Sequence, residues 1–242
     1  MNNIKNWIKN KPIAHRGLHD DNISIPENSL LSFEKAMEKN YPIEIDVQIT
    51  KDDTIIVFHD KNLLRACGQK IPVSDLSMPT LNQYTIFNST YNIPTLKETL
   101  ELINGKVPLL IEIKNFSFNR RLEKKLIEQL SNYKGDFALQ SFNPFSVSWI
   151  KKHSSFPVGQ LAKQFSKPII VKNILNILLL NKSMKIDFVA IDKESLPNKK
   201  IEYWKSKGLP ILCWTVTTNE EEIRAKKYCD NIIFEKFNPI NA

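Results

Sequence analysis

The 242-residue sequence predicts an α/β fold with about eight strands, the strand number of a (β/α)8 barrel, and two observations carry that prediction. Short apolar runs alternate with segments of helical apolar spacing along the chain, and two of those runs set charged side chains at every second position. The length suits one such domain and can bury a full core, so residues 1–242 read as a single domain with a short N-terminal extension over 1–11.

Taken in order, the runs that read as strands are Pro12 to His15, Ile43 to Ile49, Leu109 to Lys114, Phe137 to Phe142, Val158 to Ala162, Phe188 to Asp192, Ile211 to Val216 and Asn231 to Glu235. Between them, Leu30, Phe33 and Met37 have helical spacing after the turn at Pro26, as do Leu96, Leu100 and Ile103 after Thr95. Thr95 and Glu98 stand at capping-box spacing. Glu220, Glu221 and Glu222, followed by Arg224, Lys226 and Lys227, put each charge sign at the helix end its dipole favours. This alternation alone equally allows an open doubly wound sheet, so the choice falls to the polar residues. With 6 Gly in the chain and no GxGxxG or Walker pattern, there is little to build a nucleotide-phosphate loop.

Hydrophobic residues at 42% and charged residues at 25% exclude a disordered or membrane-embedded chain. The net charge of +8 favours an anionic partner, but the basic residues are dispersed and no RNA- or DNA-binding module is recognisable, so nucleic acid is not expected as a partner. Cys67, Cys213 and Cys229 are scattered without CxxC spacing, which fits a reducing compartment. Met1 to Pro12 lacks the apolar stretch and cleavage site of a secretory signal. Ile169 to Leu180, the most apolar segment, is interrupted by Lys172, Asn173 and Asn176 and is too short to span a bilayer. The expectation is a cytoplasmic protein without stable membrane insertion.

Ile43, Ile45 and Val47 alternate with Glu44, Asp46 and Gln48, so a strand here has an apolar stripe on one face and two carboxylates on the other. Two bare carboxylates on a buried face repel and lose hydration, and a cation must compensate them. Leu109 to Lys114 repeats the pattern, with Glu112 and Lys114 on one face and Ile111 and Ile113 on the other. Three carboxylates with oxygen-only ligation suit a hard ion, Mg2+ or Ca2+, better than zinc. The competing structural reading is an internal Glu–Lys salt bridge plus one surface acid.

His15-Arg16-Gly17 follows the first apolar run and His59-Asp60 ends the run Ile55 to Phe58, which places each histidine just past a strand's C-terminal end, where barrel active sites lie. A lone histidine there usually makes local hydrogen bonds, but two of the 4 in the chain, beside the acids, point to general acid–base work. Arg16 through its planar fork and Lys114 as a point charge suit a phosphoryl group. Trp214, within Leu212 to Val216, either walls a small-molecule pocket or fills core.

In chain order, His15-Arg16-Gly17, Pro26-Glu27-Asn28-Ser29, Glu44-Ile45-Asp46-Val47, His59-Asp60 and Glu112-Ile113-Lys114 resemble the motifs of the glycerophosphodiester phosphodiesterases. Ser141-Phe142 and Trp214-Thr215-Val216 look like that family's strand-end segments, so the similarity runs from about Pro12 to the last strand. The resemblance implies a (β/α)8 barrel binding one divalent cation through Glu44, Asp46 and Glu112, with His15 and His59 as acid–base pair and Arg16 and Lys114 on the phosphate. The implied reaction, within glycerol and lipid metabolism, is hydrolysis of a small glycerophosphodiester to glycerol 3-phosphate and an alcohol, by water or by way of the glycerol 2-hydroxyl and a cyclic phosphate.

Two departures from the family pattern are Asn28-Ser29, where Asn-Thr is common, and Phe234-Glu235-Lys236, where the last strand often ends Thr-Asp. The loop from Leu18 to Ile25 is longer than in many members and bears on substrate choice; its His19 stays outside the catalytic set. The rival activity is cleavage of a lysophospholipid or phosphoinositide by the same inner shell, with Ile169 to Leu180 as an apolar mouth. A non-catalytic binding barrel with a structural metal ranks below it, because both histidines are present.

Overall fold

The computed structural model describes residues 6–117, 119–163 and 185–240. Ile169 to Leu180 therefore lies outside the described residues. The chain divides into two compact units, one of residues 14–137 and one of residues 1–13 with 138–242.

In the first unit, β2 (Ile43–Ile49) lies between two parallel partners, β1 (Ile13–Ala14) and β4 (Leu109–Ile113). Its Ile43, Ile45 and Val47 are buried, and the long helices of the unit are amphipathic. Of these, α2 (Leu30–Glu38) starts at Ser29, whose hydroxyl accepts from the Ser32 N–H while the Ser32 hydroxyl accepts from the Ser29 N–H, a reciprocal cap built from two serines. The other long helices are α5 (Leu96–Ile103), with the expected Thr95–Glu98 capping box and buried Leu96, Leu100 and Ile103, and α6 (Arg121–Leu130).

One strand is not among the eight counted from the sequence, although its apolar run is read there as a strand ending before His59. Ile55 to Phe58 is a third strand, β3 (Ile55–Val57), antiparallel to β2 with Val47 opposite Val57. The hairpin turns the chain back along β2, and the Phe58 N–H donates to the Asp46 carbonyl. His59 thus reaches the acids by a hairpin return rather than from the end of a parallel strand. Between β3 and α5 the chain makes an excursion with the short helices α3 (Leu64–Cys67) and α4 (Met78–Leu81) and a 3-10 turn at Val73–Asp75. It carries its own small core of Ile56, Phe58, Leu63, Ala66, Val73, Leu81, Ile86 and Ile93.

The second unit is a run of parallel strands in chain order: β5 (Phe137–Ser141), β6 (Val158–Ala162), β7 (Phe188–Asp192), β8 (Ile211–Val216) and β9 (Asn231–Phe234). Helices α7 (Pro144–His153), α8 (Lys199–Ser206) and α9 (Asn219–Lys226) intervene, the last with the expected charge order along its axis. The N-terminal extension is helical in part. Its α1 (Trp7–Asn10) buries Trp7 and Ile8, and the Asn231 amide of β9 donates to the Ile8 and Lys11 carbonyls. Among the described residues, no helix is long and apolar enough to cross a membrane.

Candidate active site

The alternation of β2 sets Glu44, Asp46 and Gln48 on one face, and the parallel register puts Glu112 of β4 directly beside Asp46. Oxygens of Glu44, Asp46 and Glu112 lie within 4.8 Å of one another, and all three side chains are buried. Burial and the charges of Asp46 and Glu112 push the Glu44 carboxyl well above the usual carboxylate range. Burial, with help from Asp46, also raises Glu112 against the pull of Lys114. Asp46 goes the other way: burial raises it, but Lys114, Arg16 and the charges that His59 and His15 can carry outweigh burial and hold it far below that range.

Lys114, one residue past β4, places its Nζ 2.7 Å from Glu112 and 3.1 Å from Asp46, and Arg16 sets its Nε 3.2 Å from Asp46 Oδ2. Burial lowers the pKa of Lys114, and the acids around it more than restore the loss. The Glu–Lys salt bridge of the competing reading is present, but Glu44 is 1% exposed and so is not a surface acid. Three buried carboxylates against two cations leave negative charge uncompensated, which is the condition under which a hard cation binds. The cluster could hold a metal ion, and its donors are all oxygen.

The turn carrying His15 and Arg16 is pinned onto α2. The Arg16 carbonyl accepts from the Asn28 N–H at 2.9 Å and from the Ser32 hydroxyl at 3.0 Å, while the Arg16 N–H donates to Glu44 Oε2 at 3.1 Å. Gly17 has a φ of +81°, and a Cβ there would stand 2.4 Å from Ser32 Oγ and 2.8 Å from its carbonyl carbon, so any side chain at this position is strained and forces the turn to shift. Asn28, buried with φ +52°, donates its amide to Asp46 Oδ2 at 2.8 Å, while Lys114 faces the other oxygen, Oδ1.

His59 is held on two sides. Its Nδ1 lies 2.6 Å from Asp60 Oδ1, and the Gln48 amide of β2 donates to the carbonyls of Phe58 and Asp60 at 2.7 and 2.8 Å. Glu27 accepts from Arg16 at 2.7 Å, from Asn22 at 3.2 Å and from Arg65. Burial raises its carboxyl, but Arg65, Arg16 and Asn22 together hold it down at about 2. The loop from Leu18 to Ile25 closes on Asp20, whose carboxylate accepts from the N–H groups of Ile23, Ser24 and Ile25. Nδ1 of His19 accepts from the Asp21 N–H within that loop.

Seven of the eight residues singled out from the sequence, namely His15, Arg16, Glu44, Asp46, His59, Glu112 and Lys114, fall in one unit around one acidic cluster. Trp214 belongs to the other unit. There it lies within β8, edge-on to Phe142 at 5.5 Å between ring centroids, with Lys163 Nζ 5.8 Å from its ring centroid, and its buried indole N–H finds no acceptor among the described residues. Glu27, Asn28 and Asp60 were inside quoted motifs without a role assigned. Arg65 carried no signal in the sequence, because its position depends on how α3 folds back.

The chain is similar to known proteins over most of its length. The profile of the Glycerophosphoryl diester phosphodiesterase family matches residues 15–235. A glycerophosphodiester phosphodiesterase of Caldanaerobacter subterraneus subsp. tengcongensis is 35% identical over 238 residues, covering 93% of this chain and 94% of that one. Among solved structures, a glycerophosphodiester phosphodiesterase of Thermotoga maritima superposes with a TM-score of 0.74 at 22% identity, covering 93% of this chain and 94% of the other. A phosphodiesterase of Oleispira antarctica, solved with the product sn-glycerol-3-phosphate, superposes with a TM-score of 0.77 at 21% identity, covering 93% and 92%. These likenesses establish the fold class as the (β/α)8 barrel that the sequence predicts.

Proposed function

This chain belongs to the glycerophosphoryl diester phosphodiesterase family, and from that membership and its buried carboxylate cluster we infer that it is a metal-dependent phosphoric diester hydrolase releasing glycerol 3-phosphate and an alcohol from small glycerophosphodiesters. The observation that carries the reading is the meeting of Glu44, Asp46 and Glu112 within 4.8 Å, with two carboxyls driven up by burial and mutual repulsion. Such a cluster fits one Mg2+ or Ca2+ held by those three residues. When bound, the ion supplies Lewis-acid neutralisation of the phosphoryl oxygens.

The chain's own groups do the rest. Arg16 and Lys114, already beside Asp46, share the phosphoryl charge: the arginine offers directed N–H donors and the lysine a point charge. One of His15 and His59 takes a proton from the attacking hydroxyl as the new P–O bond forms. The other delivers a proton to the leaving alkoxide as the P–O bond to the alcohol breaks. For His59, the Asp60 carboxylate on Nδ1 leaves Nε2 for that transfer. The free thiols Cys67, Cys213 and Cys229 suit the reducing cytoplasm.

Measuring release of the alcohol, choline or ethanolamine, from glycerophosphocholine, glycerophosphoethanolamine and their lyso counterparts, with glycerol 3-phosphate as the co-product of the deacylated diesters, at one metal concentration and again after chelation, tests the whole reading. Turnover of the deacylated diesters that vanishes on chelation and returns with Mg2+ or Ca2+ is expected. Higher kcat/KM for the lyso forms would move the chain to the lysophospholipase D activity.

A further inference from the structure

Arg65 lies in the excursion, on a helix of four residues with no link in sequence to the acids of β2 and β4. Its guanidinium nevertheless touches two carboxylates at once. Nε donates to Asp60 Oδ2 at 2.7 Å and Nη2 to Asp60 Oδ1 at 3.2 Å. Nη1 donates to Glu27 Oε2 at 3.0 Å and Nη2 to Glu27 Oε1 at 2.6 Å. In each carboxylate one of these oxygens is also the contact to a functional side chain. Asp60 Oδ1 is the partner of His59 Nδ1 at 2.6 Å, and Glu27 Oε1 that of Arg16 Nη1 at 2.7 Å. The guanidinium carbon sits 5.1 Å from the centroid of the Phe87 ring, within cation–π range.

We propose that Arg65 is a positioning residue of the phosphodiesterase reaction: by holding Asp60 and Glu27 with one guanidinium, it sets the orientation of both His59 and Arg16. The proposal rests on the functional reading above. Its physical basis is the arginine fork. Two edges of one rigid plane meet two carboxylates in fixed relative positions, whereas an ammonium would meet one or the other. Without that plane, Glu27 and Asp60 lose the charge that lies between them. Asp60, whose side chain is 21% exposed, is then free to turn towards water and release the His59 ring.

A cavity of about 610 Å3 borders the guanidinium, lined by Asn22, Leu64, Arg65, Tyr84 and Phe87 among others. A small guanidinium ion can therefore reach the position that a truncated Arg65 vacates. This separates a positioning role from a merely structural one.

The experiment compares wild type, Arg65→Ala and Arg65→Lys as metal-loaded protein, with glycerophosphoethanolamine as substrate. Both substitutions should lower kcat by roughly 10- to 100-fold, the scale for losing an orienting partner. KM and calorimetric Mg2+ affinity should change little. Methylguanidinium should restore kcat to Arg65→Ala and not to Arg65→Lys, whose own chain occupies the space. With 4 histidines in the chain, 15N-labelled His59 should give a resolvable signal whose single tautomer in wild type becomes a mixture in Arg65→Ala. If Arg65→Ala does not fold, Arg65→Lys, which keeps the charge, carries the same comparison of kcat and tautomer. Wild-type kcat in the variants, or an unchanged His59 tautomer, overturns the proposal. A wild type that cleaves no diester overturns the functional reading instead, and the tautomer measurement still decides whether Arg65 holds His59.

Discussion

Glu27 offers a stability test whose size can be worked out beforehand. It is 6% exposed, and its contacts with Arg16, Arg65 and Asn22 bring its carboxyl from an ordinary 4.5 down to about 2. A folded-state value below the unfolded one stabilises the fold at pH above the unfolded value, and that contribution is lost as pH falls towards the folded value. For Glu27 the stabilisation is on the order of 3 kcal/mol at neutral pH, is complete above about pH 5, and falls to roughly 2 kcal/mol by pH 3.5. The isosteric Glu27→Gln removes the charge and keeps the shape, so urea unfolding of both proteins in excess chelator, which removes any contribution from bound metal, isolates this effect. The expected result is a difference of about 2 to 3 kcal/mol between pH 7 and pH 5, the lower figure allowing Arg65, 44% exposed, to turn to water. The difference should then narrow as the pH drops below 4.5. A difference under about 1 kcal/mol at pH 7, or one that ignores pH, would refute the reasoning.

Three further outcomes follow from the same geometry. His15→Ala and His59→Ala should each lower kcat by roughly 100-fold or more with the fold intact by circular dichroism, and a nitrophenyl ester should rescue whichever variant lacks the general acid; near-normal turnover removes that histidine from the mechanism. Asp46→Asn should weaken Mg2+ or Ca2+ binding by at least about tenfold in calorimetry, because affinity follows ligand charge, and a wild-type titration would count against the ligand set. Gly17→Ala should cost about 2 kcal/mol or more, from the left-handed backbone and the 2.4 Å approach to Ser32 Oγ, and should lower Tm by roughly 5 °C; an unchanged Tm would show that the turn can relax.

How much of this was legible follows from what each feature depends on. Strands β2, β6, β7 and β8 have the bounds that their apolar runs predict, because a buried parallel strand is specified by its own sequence. The acids of β2 and β4 were legible for a related reason, since a period of two decides the face before any tertiary contact forms. The excursion after β3 escaped because its helices are only four residues long, too short to show a period, and it is organised by a local core instead. Asp20's turn was equally hidden, being made by side-chain to backbone bonds over five residues.

The reach of sequence reading at a site of this kind therefore stops at the residues that carry the charge and begins to fail at those that aim it. Glu44, Asp46 and Glu112 are placed by strand register, and no distant element can turn them to the other face. His59 lies next to Asp60 in sequence, so that pair was also in view. The bonds from Arg65 to Glu27 span 38 positions and depend on how the excursion folds back, which no local pattern records. The excursion thus takes part in aiming the reactive groups while supplying none of the three carboxylates, and substitutions within it at Arg65 or Phe87 should disturb turnover more than metal affinity. Comparable losses of both in Phe87→Ala would show instead that the excursion supports the acidic cluster as a whole.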